Sequence, residues 1–210
     1  MFRLIALAML LAFAMPCDWG PSATAFAASA AEPLRVVVTL PVLKDWVQQI
    51  GGSYVHVNSL MTGYESEHTY SPKPSDLVAV RKAARLVEVG AGLEVWVASL
   101  VKNAGNGSLR VVTTSKDIEL IQDHPEPAGT SHSHAHAAGN PHVWLDPAAA
   151  ATMVQHISDA MAAADPAHAT DYRTNTATYL QALTRVQDES LARLRSLPSR
   201  AIIVHHPAWP

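Results

Sequence analysis

The sequence contains one cysteine, Cys17, in 210 residues. A lone thiol can form neither an internal disulfide nor a multi-thiolate zinc cage. Aromatic residues make up 6% of the chain and charged residues 16%. Lys and Arg number 15 against 18 Asp and Glu, a net charge of −3. There is no basic surplus of the kind that neutralises a phosphate backbone, so nucleic acid is not an expected partner. Past the first residues, no apolar run approaches the roughly 20 residues of a membrane-spanning helix. What the chain does have is 49% hydrophobic residues, enough length for a sizeable core, and 11 histidines.

The N-terminus reads Met1-Phe2-Arg3 and then runs apolar from Leu4 to Met15. A short basic start, a brief apolar stretch and small-residue sites at Ala25-Phe26-Ala27 and Ala28-Ser29-Ala30 form a secretory signal, expected over residues 1–30. Ala14-Met15-Pro16 is a poor lipobox, so lipid attachment at Cys17 is not expected. Removal of the leader takes away Arg3 and Asp18 together and leaves no cysteine. The exported chain is expected to be soluble.

Local patterns then alternate. Arg35–Leu40 is a short β-branched strand, and Val42–Ile50 a helix closed by Gly51-Gly52. Tyr54–Leu60 is a second strand, followed by a loop over Met61–Ser71 and a helix that starts at Pro74. Leu86–Val89, a helix over Glu94–Lys102 and a strand at Arg110–Thr113 complete a β-α-β-α-β-α-β order. That order predicts an α/β fold with a parallel, Rossmann-like sheet, here an N-terminal lobe over residues 31–165. Asp146 and Pro147 are an N-cap and first-turn pair, and Asp165-Pro166 ends the helix they open. A long spine helix is expected over 166–198. Residues 199–210 then read as the first strand, Ala201–His205, and a ligand motif of a second α/β lobe that the chain does not continue into.

Without thiols, a zinc site must use imidazole and carboxylate. His68 and His206 each follow a strand, where parallel sheets place their sites, and His142 sits in the turn-rich Asn140–Pro147. Strand alternation sends His205 and His206 to opposite sides, leaving one of the two as a ligand. His56 is expected to face solvent or pack, and His156 and His168 to be solvated on or beside helices. His124, His132, His134 and His136 belong to a low-complexity stretch over 123–140 that can gather metal loosely.

Three segments resemble one family. Glu67-His68-Thr69-Tyr70-Ser71-Pro72-Lys73-Pro74-Ser75-Asp76, Pro141-His142-Val143-Trp144-Leu145-Asp146-Pro147 and His206-Pro207-Ala208-Trp209 are similar, in order and spacing, to the motifs of ZnuA/TroA-like metal-binding solute-binding proteins of ABC importers. Gly92-Leu93-Glu94 followed by Trp96 is similar to a further segment of that family. The resemblance implies two α/β lobes joined by a long helix, with the ion between them. It implies His68, His142 and His206 as ligands, with Glu67 or water completing the set. It also implies a periplasmic monomer that passes its ion to an ABC permease and ATPase. The His-rich stretch is similar to zinc-type members, and imidazoles favour Zn²⁺ over Mn²⁺, so zinc is the expected cargo. A manganese-type receptor, or a zinc buffer or adhesin working through the His-rich stretch, is the alternative. A zinc hydrolase would need an open metal position and a general base, and the sequence has no H-E-x-x-H. The protein is therefore not expected to be an enzyme.

Overall fold

The computed structural model describes residues 32–122 and 139–199, together with Ala201, Ile203, Val204, Ala208 and Trp209. Four strands, β1 (Leu34–Val38), β2 (Val55–Ser59), β3 (Arg85–Glu88) and β4 (Arg110–Thr113), form one parallel sheet in the order β2-β1-β3-β4. The register pairs Val36 with Val57 on one side and with Arg85 on the other. Helices α1 (Pro41–Gly51), α2 (Pro74–Lys82) and α3 (Val97–Ala104) connect the strands, and α4 (Pro147–Ala164) and α5 (Ala169–Arg195) follow β4. The α/β class and the parallel sheet are as the alternating pattern requires. No helix among the described residues is long and apolar enough to cross a membrane.

Both faces of the sheet are covered, which is why its central strands carry unbroken apolar stretches, Val36–Val38 in β1 and Leu86-Val87 in β3. Val36 and Val38 face one core with Leu43, Val47 and Ile50 of α1, Met153, Ile157 and Met161 of α4, and Tyr172 of α5. Val37 and Leu86 face the other with Val80 of α2, and Leu100 and Ala104 of α3. Each buried Val, Leu, Ile or Met among them contributes about 1.5–3 kcal/mol by leaving water.

Local signals fix several boundaries. Pro147 opens α4, and the Asp146 carboxylate accepts from the N–H groups of Ala148 (3.1 Å) and Ala149 (3.3 Å). Pro74 opens α2, where Asp76 Oδ2 accepts from the Lys73 N–H at 2.7 Å. Helix α3 starts at Val97 rather than Glu94: the Val97 N–H first closes a turn on the Glu94 carbonyl at 3.0 Å, and the Glu94 side chain is directed inward to the strand ends.

Helix α5 begins at Ala169, after a short 3-10 turn over Pro166–His168, and at 27 residues is about 40 Å long. Its first half packs on α1 and α4, with Asn175 donating to the Ile50 carbonyl at 2.9 Å. Its last turns carry Val186, Leu191 and Leu194 exposed. The strand expected over Ala201–His205 does not form at the residues described there. Ala201, Ile203 and Val204 are exposed and in no strand, and a β-branched run is no strand without a neighbour to pair with. The expected leader, residues 1–30, lies outside the described residues.

Candidate metal centre

The strand order places β1 and β3 side by side while their connections run to opposite edges. Ligands of open parallel sheets bind beyond the carboxyl ends of strands at such a point. Two segments converge there. The loop after β2 brings Glu67 and His68, and the segment before α4 brings His142. One donor atom from each of the three lies within 4.8 Å of the others. Glu67 Oε1 and His142 Nε2 are 3.6 Å apart. Donors held at about 2.0–2.1 Å by a tetrahedral ion lie about 3.4 Å apart, so this pair already has the required spacing. The His68 and His142 rings meet edge to face, with centroids at 5.3 Å, and His68 Nε2 is shielded from solvent.

His142 is buried, and its tautomer follows from its neighbours. Asn140 Oδ1 accepts from the His142 backbone N–H at 3.0 Å and lies 2.8 Å from Nδ1. An amide oxygen only accepts, so Nδ1 bears a proton, and in the neutral ring Nε2, the atom that faces Glu67, carries the lone pair. Asn140 is itself fixed, its N–H donating to the Ile121 carbonyl at 2.8 Å. Gly139 beside it has φ +113, and a Cβ there would meet Ile121 O at 2.9 Å, so only glycine fits this close approach.

The loop that carries Glu67 and His68 is held at several points. The Met61 N–H donates to the Thr39 carbonyl at 3.2 Å. Glu65 accepts from the Thr62 N–H and hydroxyl at 2.9 and 2.8 Å, and these bonds hold its carboxyl down at about 2. The Tyr70 hydroxyl lies 2.8 Å from Asp76 Oδ2 and 3.0 Å from the Leu60 carbonyl; burial, then the Asp76 bond, raises its pKa above the ordinary phenol value. The Trp96 indole N–H donates to the Glu67 carbonyl at 3.0 Å.

Glu94 is a buried carboxylate beside this crevice. It accepts from Thr39 Oγ1 at 2.7 Å and from the N–H groups of Val89 and Gly90 at 2.9 Å each. Burial pushes its pKa up to about 7 against the pull of those three bonds. A cavity of about 780 Å³, walled in part by Ile118, Ile121, Leu191, Leu194 and Trp209, opens beside His142.

Of the expected site residues, the structure thus gathers Glu67, His68 and His142. His206, and His124, His132, His134 and His136, lie outside the described residues. His56 is exposed on β2, as expected. His156 and His168 are not merely solvated: His156 Nδ1 lies 2.9 Å from the Thr114 carbonyl, and His168 Nδ1 lies 2.7 Å from Asp165 Oδ2. Asn140, Trp96 and Glu94 received no role from sequence. Asn140 and Trp96 act through hydrogen bonds to a neighbouring residue's backbone or ring, which leave no spacing to read. For Glu94 the available signal was a carboxylate set among apolar residues, Leu93 and Val95.

Residues 36–210 match the family model described as ZnuA, zinc-uptake complex component A, periplasmic. The chain belongs to the ZnuA family. A protein of Treponema pallidum (strain Nichols), provisionally named for metal binding, is 32% identical over 183 residues, covering 85% of this chain and 58% of its own length. The iron-binding protein YfeA of Yersinia pestis is 26% identical over 199 residues, covering 95% of this chain and 59% of its own length. A crystal structure of ZnuA superposes with a TM-score of 0.75 at 29% identity, over 85% of this chain and 65% of that one. The chain thus spans roughly three fifths of the length of these relatives.

Proposed function

We propose that the chain is the exported metal-binding receptor of an ABC importer, with Zn²⁺ as its cargo. The observation that carries this reading is the convergence of Glu67, His68 and His142 from two separate segments onto one point at the switch of the sheet. Two imidazoles with a carboxylate suit zinc, and His206 is assigned as a further ligand. The family description as a zinc-uptake component supports both the cargo and the periplasmic location. Glu67 is spent as a ligand and leaves no general base in the cluster, in keeping with capture and release rather than bond cleavage. His124, His132, His134 and His136 form a looser reservoir. The protein works as a monomer, handing its ion to a permease coupled to an ATPase.

The iron-binding name of YfeA and the hard oxygen of Glu67 make a manganese- or iron-type receptor the reading to set against zinc. Competition of the purified chain against a chromophoric chelator separates them. One tightly held Zn²⁺ per chain, with Mn²⁺ and Fe²⁺ held more weakly, is the expected result. Affinity should fall as pH drops through about 6.5, because protonated imidazole cannot ligate. Tighter Mn²⁺ than Zn²⁺ would reassign the cargo, and no tight ion at all would end the receptor reading.

A further inference from the structure

The Glu67 carbonyl belongs to the peptide unit that joins Glu67 to His68. Glu67 and His68 lie in a turn that the Thr69 N–H closes on the Ser66 carbonyl at 3.3 Å, and two adjacent side chains reach one ion only if the peptide between them keeps one rotation. The turn bond spans that peptide, and the Trp96 indole N–H, donating at 3.0 Å to the Glu67 carbonyl itself, holds its rotation from outside the turn. Trp96 is itself fixed. It is 9% exposed, and its ring lies against that of Tyr70 with centroids at 4.9 Å and an interplanar angle of 55°. Two residues earlier, Glu94 ties the same turn to Thr39 at the end of β1 and to Val89 and Gly90 after β3. The Val97 N–H closes the turn on the Glu94 carbonyl at 3.0 Å. Thr39 also receives the Met61 N–H through its own carbonyl, so the entry turn of α3 secures the ligand loop at its root and at its tip.

We infer that Trp96 is a positioning residue of the metal centre: its indole N–H sets the rotation of the Glu67–His68 peptide and so aims both side chains at one ion. This rests on the receptor reading above. Trp96 touches no ion. It lowers the reorganisation needed for two adjacent donors to bind together, as outer partners of metal ligands do.

The test is Trp96→Phe in the intact chain, which keeps an apolar ring and deletes the donor, with Leu100→Ala from the same buried cluster as the structural control. Zinc affinity is read by chelator competition, geometry by the ligand-field spectrum of the Co²⁺ form, and folding by the thermal midpoint without metal. Trp96→Phe should weaken Zn²⁺ roughly tenfold, the low end of the range for outer partners, and alter the Co²⁺ spectrum. Leu100→Ala should lower the thermal midpoint at least as far and leave the Co²⁺ spectrum unchanged. Wild-type affinity and spectrum in Trp96→Phe, or the same spectral change in both variants, would overturn the inference. His142→Ala separates the two readings. If it abolishes tight zinc binding while Trp96→Phe does nothing, the site stands and only the role of Trp96 falls. If it leaves zinc binding intact, the site reading fails and the inference with it.

Discussion

Histidine meets carboxylate at both ends of this sheet, in two quite different ways. Beyond the carboxyl ends of the strands, Glu67, His68 and His142 arrive from two segments with α2, β3, α3 and β4 between them, and their donor atoms lie within 4.8 Å of one another. At the amino end, beside the start of β2, Asp165 and His168 come from a single turn between α4 and α5. There Asp165 Oδ2 receives both the His168 ring N–H and the Tyr172 hydroxyl at 2.7 Å. Tyr54 stacks on His168 with ring centroids 3.8 Å apart. In that second group the His168 ring N–H and the Tyr172 hydroxyl are both spent on Asp165, and it offers one imidazole rather than two. It fastens the α4–α5 corner to β2. A metal centre differs from a structural histidine cluster by having several lone pairs aimed at a common point, not by its histidine content.

The largest expected effect breaks the symmetry between the two ends. His142→Ala should weaken Zn²⁺ by at least about 100-fold, beyond the range for an outer partner, whereas His168→Ala should change it by less than about twofold. Chelator competition on the two variants checks both. Asn140→Ala comes next. With the Nδ1 acceptor gone, His142 is free to take the other tautomer, and Zn²⁺ should weaken by about tenfold; the thermal midpoint of the metal-free protein should fall too, because the buried His142 N–H loses its acceptor. At the amino end, Tyr172→Phe should cost about 1 kcal/mol of stability in chemical denaturation, the net worth of one hydrogen bond, and leave zinc affinity as it was.

The smallest effect is in the pH dependence, and it has opposite signs at the two ends. Burial raises Glu94 from 4.5 to about 7, so its protonated form is the one the fold favours. Its contribution is complete below pH 4.5 and is lost as pH rises through 7. For Asp165, burial alone would raise the pKa, but the Tyr172 and His168 hydrogen bonds prevail and lower it below 3.8. Its contribution is present above that value and is lost as pH falls through the folded-state pKa. Glu94→Gln should therefore flatten the alkaline side of the plot of thermal midpoint against pH, and Asp165→Asn the acid side. A matching change on the same side in both variants would show that the two ends do not titrate independently.

The parts of this arrangement legible in sequence are the local ones. Asp146 and Pro147 announced α4, Pro74 announced α2, and the β-branched run at Val36–Val38 announced a strand buried on both faces. His68 and His142 stood out because each lies in a turn-rich loop of a recognisable motif. What sequence could not show depends on long-range partners. Helix α3 starts three residues later than its periodicity suggests, and Glu94, read as its first residue, instead bonds to Thr39, 55 residues away. His168 reads as solvated until Tyr54 is seen stacked on it from the start of β2. The tautomer of His142 depends on which atom of Asn140 faces it, a matter of folded geometry rather than residue order.

One paired measurement tests the central claim most directly: zinc affinity and stoichiometry of the intact chain carrying His68→Ala with His142→Ala, beside the chain lacking residues 123–138. The double substitution should abolish the tight site, while the deletion should keep one tightly bound Zn²⁺ and lose only weak capacity. Tight binding that survives the double substitution and disappears with the deletion would contradict that claim, and would make the His-rich stretch the working part of the protein.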